Sequence, residues 1–538
     1  MDDRRPWAES VVVHDELIAF VGSDDDARAH LRDGTEEIDL EGGFLMPGFI
    51  DGHDHFIGGA LSKLGVSIEN LHGKEAVLEK IRQYAESHPH KDVIRGHGWT
   101  QFTFDGEQPH RTWLDTVTDV RPAFLHSYEV HDVWANTAAF VAAGIDATTP
   151  DPNPPTSFFF RDTDGFPAGT CCEGSWVNLA IELGMYSMDS IREAMDLTMT
   201  PAPSRGITSY FDAGTLLSSR SIEREVYADL VRLDEAGQLP VRIVGSSGFV
   251  RDGNKSPERI VESARQLQAD VSSPNISITT VKVFLDGVGP AHTASMLEPY
   301  LDEPHTGGWL TPPDHALRIA EAANAAGFDT HIHACGDAAV RAGLDAFEHV
   351  RTVRPDLTPR NTVCHLEFCH PDDVPRFAQL GVTANGTPLW GTDYLGEFVD
   401  AYPKLVGEHR FRRDYLPYSS ILRTGALMTF GADVPGVGVD EIAPLVQIEA
   451  AVTRRRPGRP DDRPAGGHEQ IALSDALRCY TINGAKALRL ETITGSIEIG
   501  KRADLVHLGR NPYAIPHHEI HAIPIVRTMF GGRFTHGA

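Results

Sequence analysis

The chain has 538 residues, 41% hydrophobic and 23% charged, which describes a globular protein with apolar material for one large core and a smaller companion domain. Its 76 acidic residues outnumber 48 basic ones, and the resulting charge of −28 repels phosphate backbones, so nucleic-acid binding is excluded as a leading function. The opening MDDRRPWAES is not followed by an apolar run, and no segment approaches the roughly 20 apolar residues of a bilayer span, so a cytoplasmic protein without a membrane partner is expected.

In chain order, Ser10–His14 and Leu17–Val21 read as strands around an Asp-Glu turn, with Glu37–Leu40 a third before the Gly42-Gly43 break. The middle, residues 47–487, alternates apolar strands with amphipathic helices. Val241–Val244, Thr280–Phe284, Phe328–Ile332 and Leu427–Phe430 are strands; Ser256–Ala269, Asp314–Ala326 and Asp337–Val350 are helices. Repeated strand–helix units over this length predict a parallel α/β fold, for which a (β/α)8 barrel fits best. A less regular stretch at about 65–175 reads as an insertion or lid after the first barrel strand. Strand texture returns in Gly495–Gly500, Ala503–Leu508 and Ile525–Phe530, so residues 1–46 and 488–538 are expected to join in one small β-domain. The six cysteines include no CxxC pair and read as free thiols.

The sharpest motif is Phe49-Ile-Asp-Gly-His53-Asp-His55. An apolar strand delivers two histidines at i and i+2, which on a strand point to the same face. Two neutral imidazoles aimed into one space at the C-terminal end of a barrel strand are a metal chelate. A bare HxH is more often a solvated pair in a turn; the strand before it argues otherwise.

Met46-Pro-Gly-Phe-Ile-Asp-Gly-His53-Asp-His55 resembles the first-strand signature of the amidohydrolase superfamily. Further segments resemble its branch called amidohydrolase family 3, which includes N-substituted formamide deformylase. They are Gly98-Trp99, His131-Asp-Val-Trp134-Ala-Asn136, Gly206–Gly214, Val281-Lys282-Val-Phe-Leu-Asp286-Gly, His333-Ala-Cys-Gly-Asp337-Ala-Ala, Gly431-Ala-Asp433-Val-Pro435 and Gly495–Val506, in order over nearly the whole chain. The resemblance implies a metal-dependent hydrolase barrel with a small β-sandwich domain built from both termini.

It also implies roles. Lys282 sits in an apolar strand, where a charged amine is costly; the resemblance makes it a carboxylated lysine bridging metals, against the plainer reading of a salt-bridged strand-end lysine. His331 and His333 share a face, and spacing cannot choose between them; the resemblance favours His333 as ligand. His365 is expected from the next strand, and Asp433 from the end of Met428–Ala432, a carboxylate that stays ionised beside a cation yet can accept a proton. The expected metal ligands are therefore His53, His55, Lys282, His333, His365 and Asp433, and the expected catalytic residues are Asp433, Lys282 and His365. Trp99, His131 and Glu173, in or beside the irregular stretch, are candidates for substrate contact, with structural packing equally open to them.

The expected reaction is hydrolysis of a C–N bond, amide or N-formyl, in a small molecule. One or two divalent ions, Zn2+ first and Mn2+, Fe2+ or Co2+ as alternatives, would acidify the attacking water, and Asp433 would pass its proton to the leaving nitrogen. A lactonase, esterase or deaminase on the same site is the nearest alternative, and a barrel without chemistry the remotest. A homo-oligomer is compatible with the sequence.

Overall fold

The computed structural model describes residues 4–100, 103–128, 130–154, 157–216, 220–250, 255–271, 273–393 and 398–537. Eight parallel strands form its centre: β1 (Phe49–Asp54), β2 (Ile207–Asp212), β3 (Arg242–Val250), β4 (Ile276–Phe284), β5 (Asp329–Ala334), β6 (Thr362–His365), β7 (Thr383–Gly386) and β8 (Met428–Phe430). Each pairs in parallel with the next in chain order. The ends of the sheet meet where Asp433 N donates to His53 O at 2.9 Å. A Cβ on Gly431 would lie 2.4 Å from the backbone N and O of His53, so this seam requires glycine. The strands are buried on both faces, as a barrel wrapped by helices demands.

The expected helices form within a few residues of their predicted limits: Pro257–Asp270, Pro313–Ala325 and Asp337–Val353. Ser256 caps the first by accepting from Arg259 N, and Ile260, Val261, Ala264 and Leu267 form its buried stripe.

Between β1 and β2 lies a six-stranded mixed sheet, ordered Val66–Ser67, Ile94–Trp99, Ala123–Ser127, Asp132–Ala135, Pro167–Cys172, Phe158–Arg161. It has its own apolar layers, one around Trp99, Phe104 and Trp134 and another around Phe124, Phe140 and Trp176.

The two termini meet as a small β-sandwich domain. The hairpin Ser10–His14/Leu17–Gly22 packs on an antiparallel sheet of Phe44–Pro47, Leu505–Leu508, Ile525–Phe530 and Arg533–His536. Ile18, Val21, Ala503 and Leu505 fill the space between them. Two expected strands are absent. Glu37–Leu40 has no ladder partner and runs as irregular chain, and Gly495–Gly500 is held in turns, with both glycines at positive φ. All six cysteines are free and buried. No helix among the described residues is long and apolar enough to cross a membrane.

Candidate metal centre and active site

β1 ends with His53 fully buried and His55 just beyond it. His53 Nε2 lies 3.3 Å and His55 Nε2 3.7 Å from Asp433 Oδ1, while His365 Nδ1 lies 3.4 Å from Asp433 Oδ2. One carboxylate after β8 thus stands among three imidazoles from β1 and β6. Donor atoms of His53, His365 and Asp433 all fall within 4.8 Å of one another. The His333 ring packs on that of His365 at 4.3 Å between centroids, and its Nε2 donates to Gly287 O at 3.1 Å. Lys282, fully buried on β4, brings Nζ to 3.3 Å from His53 Nε2 and 3.8 Å from Cys364 Sγ, and has no ion pair among the described residues. The structure therefore gathers His53, His55, Lys282, His365 and Asp433 in one cluster, with His333 against the His365 ring.

Backbone clamps fix these positions. Asp51 accepts from His53 N and Ala432 N, each at 3.0 Å; Asp54 accepts from His55 N at 2.8 Å and Val434 N at 2.9 Å. Two carboxylates thereby tie the HxH strand to the strand end that carries Asp433. Asp286 does the same between β4 and β5, accepting from Ser295, Cys335 and Gly336 N–H groups at 2.8–3.0 Å. His331 shares a proton with His53 across 2.9 Å, Nε2 to Nδ1, and His55 Nδ1 donates to Gly214 O at 2.6 Å. Such outer contacts set ring orientation and tautomer. His365 (φ +76°) and Asp433 (φ +59°) both sit in the left-handed region, a strain of about 1–3 kcal/mol each that the surrounding packing must hold.

The electrostatics suit a cation. Burial, then Lys282 and His55, holds the His53 imidazole well below its ordinary pKa; burial and the neighbouring histidines do the same for His365. Burial also lowers Lys282 and raises Asp433, whose carboxylate His55 and Lys282 pull back down. Neutral imidazoles and a depressed amine are the ligating forms. Neither buried ring nitrogen of His365 makes a hydrogen bond with the described residues. Leaving them so is costly, and a divalent cation among imidazole and carboxylate donors offsets that cost, so the residues present fit a metal.

Above this point opens a cavity of about 600 Å³. His55, His333, His365 and Asp433 form part of its lining, with Phe284, Trp176, Trp390, Tyr402 and Tyr415 as aromatic walls. His131 lines it from the mixed sheet and bonds Glu173 through Nδ1 at 2.9 Å. Glu173 is fully buried behind His131. Trp99 lies in the apolar core of the mixed sheet, its indole N–H donating to Leu125 O at 2.9 Å, and is not among the residues lining the cavity. The sequence places Asp51, Asp54 and Asp286 inside its motifs without assigning them a role; Asp51 and Asp54 bind backbone N–H groups, and Asp286 binds backbone N–H groups and stands 3.7 Å from His333 Nε2. Glu367 is held on the cavity wall between Gly289 N and the Tyr402 hydroxyl.

Residues 36–536 match the sequence profile of the amidohydrolase family. The chain is 28% identical to the Arabidopsis thaliana protein LONG AFTER FAR-RED 3 over 99% of its own length and 89% of that protein's. It is also 28% identical to N-substituted formamide deformylase of Arthrobacter pascens, covering 99% of this chain and 95% of that one. An uncharacterized metal-dependent hydrolase from Pyrococcus horikoshii OT3 shares the fold, with a TM-score of 0.71, 22% identity and 94% of each chain covered. The chain therefore belongs to the amidohydrolase family and is a metal-dependent hydrolase.

Proposed function

We propose that this enzyme hydrolyses the carbon–nitrogen bond of an N-acyl small molecule, with N-formyl amides the first class to try. One observation carries the reading: Asp433 stands among His53, His55 and His365 at the wall of a cavity large enough for a small substrate. The full-length similarity to an enzyme named for deformylating N-substituted formamides supports the choice of bond.

His53, His55, Lys282, His333, His365 and Asp433 are the residues that would hold the metal, and their histidine-rich donor set suits zinc while admitting manganese, iron or cobalt. When bound, a divalent cation polarises the acyl carbonyl and acidifies the attacking water. Asp433 takes the proton from that water at a carboxylate oxygen. Lys282 is buried without a carboxylate partner among the described residues, and burial favours its neutral amine, the form that reacts with CO2 to give a carbamate. That anion would serve the cation in place of the missing carboxylate. The aromatic walls exclude water and accept an apolar substituent on either side of the amide. The strong negative charge supports a small molecule rather than nucleic acid as partner.

The test is chelation followed by readdition of Zn2+ or Mn2+, scored by release of amine from a panel of N-formyl and N-acetyl amides, with lactones and aminated heterocycles beside them. Hydrolysis of amides that is lost on chelation and restored by metal supports the proposal. Turnover of lactones or deamination of heterocycles, with no amide cleaved, replaces it.

A further inference from the structure

His131 and Glu173 form a dyad that neither metal binding nor Asp433 chemistry uses. Glu173 is fully buried, and both of its carboxylate oxygens are engaged: Oε2 meets His131 Nδ1 at 2.9 Å, and Oε1 accepts from Thr293 Oγ1 at 2.9 Å. The backbone N–H of Glu173 donates to Asp132 Oδ1 at 3.3 Å, and the Trp176 indole donates to the His131 carbonyl at 3.1 Å. Glu173 itself sits at φ +51° and Val130 at φ +61°, so the chain on both sides of the dyad is held in the left-handed region. Strain of this kind persists only where the surroundings over-determine it.

The dyad also reaches across to the barrel. Thr293 follows β4, and Gly287, whose carbonyl accepts from His333, lies close to both partners. A Cβ there would come within 2.0 Å of Thr293 Oγ1 and 2.6 Å of Glu173 Oε1. The result is an imidazole with Nδ1 fixed by a buried carboxylate. Its ring lines the cavity 6.4 Å, centroid to centroid, from that of His333. Asp433 and Glu367 line the same cavity.

An imidazole oriented by a buried carboxylate is built to carry a proton on its other nitrogen and to release it. We infer that His131 is the acid that protonates the leaving nitrogen, with Glu173 as its positioning residue, so that base and acid are two different groups lining one cavity. This rests on the amide reading above. Water oxygen bonds the acyl carbon while its proton passes to Asp433. Then the C–N bond breaks, its electron pair stays on nitrogen, and that nitrogen takes the proton from His131 Nε2. Amine and carboxylic acid leave, and the proton held by Asp433 returns through solvent to His131. An amine of high basicity cannot depart without such a proton; a weakly basic one can.

That difference provides the experiment. The metal-loaded full-length enzyme is given amides of two amines of similar size, cyclohexylamine and 4-nitroaniline, each as its N-formyl and N-acetyl derivative. His131→Asn is expected to lose about 10²-fold or more in kcat on the cyclohexylamides and less than about 10-fold on the nitroanilides, as removal of a general acid requires. Glu173→Gln is expected to show the same selectivity with a smaller loss. Its cyclohexylamide activity should also fall off at lower pH than in the wild type, because an imidazolium without its carboxylate gives up its proton more readily. Metal content and thermal unfolding of each variant are measured alongside. Equal losses on both amines, with metal retained, overturn the acid role and leave the amide reading standing. Wild type that cleaves none of the four probes removes the amide reading and the acid role with it. A His131→Asn protein that fails to fold shifts the decision to Glu173→Gln, where unselective loss overturns the proposal.

Discussion

The barrel and the sheet between β1 and β2 both present histidines to the same cavity, but by different physics. The barrel aims His55, His333 and His365 from the ends of its strands, whose register is set by neighbouring strands, and buried aspartates lock the strand ends to each other. The mixed sheet aims His131 from a turn, through strained backbone and a side-chain pair anchored on the barrel by Thr293. A lattice of main-chain hydrogen bonds tolerates the strong repulsions and desolvation of a metal centre. A turn held by side chains can place one movable proton, and its failure need not disturb the metal. On the functions proposed above, catalytic labour divides along that line: cation and base on the barrel, acid on the sheet.

Substitutions can break the division, and the largest effect belongs to the barrel. His53→Ala with His55→Ala should remove the metal and abolish hydrolysis while the protein stays folded, as read by elemental analysis and circular dichroism; full metal content in that variant would refute the centre altogether. Asp433→Asn should retain shape and lower kcat by roughly 10²-fold or more with little change in KM, since a general base contributes about that much. Near-normal kcat with metal retained would make Asp433 a turn residue. Lys282→Ala should lose most activity and regain part of it with added short-chain carboxylate. Lys282→Arg should stay inactive, because a guanidinium remains charged and cannot be carboxylated; an active arginine variant would discard the carbamate. Gly287→Ala sits at the junction of the two regions. It should cost roughly 10- to 100-fold on cyclohexylamides by displacing Glu173, with metal content unchanged. Loss of metal instead would show that the two regions are not separable.

The barrel was legible from the sequence because period-2 and period-3.6 patterns are properties of single segments. HxH at a strand end needs no partner to be recognised, and Ser256 announces its helix within four residues. What was hidden is what lies between segments. Asp51 and Asp54 act on backbone N–H groups about 380 residues away, and a side chain bonded to backbone leaves no pattern at the other end. His331 and His333 share a face, so spacing could not rank them. The structure gives His331 to the His53 ring and turns His333 to the cavity. The pairing of His131 with Glu173 spans 42 residues and two turns of unusual backbone, which no local propensity encodes. Glu37–Leu40 has the residues of a strand without a neighbouring edge, and a strand without a partner is not one.

Trp99 provides the smallest and most selective test of this division. The sequence offered it as a substrate contact; the structure packs it beside Phe104 and Trp134 in the mixed sheet, with its indole N–H on the Leu125 carbonyl. Trp99→Phe removes that donor and part of the buried ring. Two costs follow: an acceptor left without its partner in an apolar layer, and a small void beside Phe104 and Trp134. Together these should lower stability by about 1–3 kcal/mol, visible as a drop in Tm or in the denaturation midpoint. Because His131 is fixed by Glu173 and Thr293 rather than by the indole, kcat and KM on both amide probes should stay within about twofold of wild type, the range expected of a residue that makes no contact in the transition state. A KM that rises several-fold while Tm is unchanged would reverse the assignment. The mixed sheet would then reach the substrate through its core as well as through its turn, and the boundary between scaffold and site drawn here would have to move inward to Trp99.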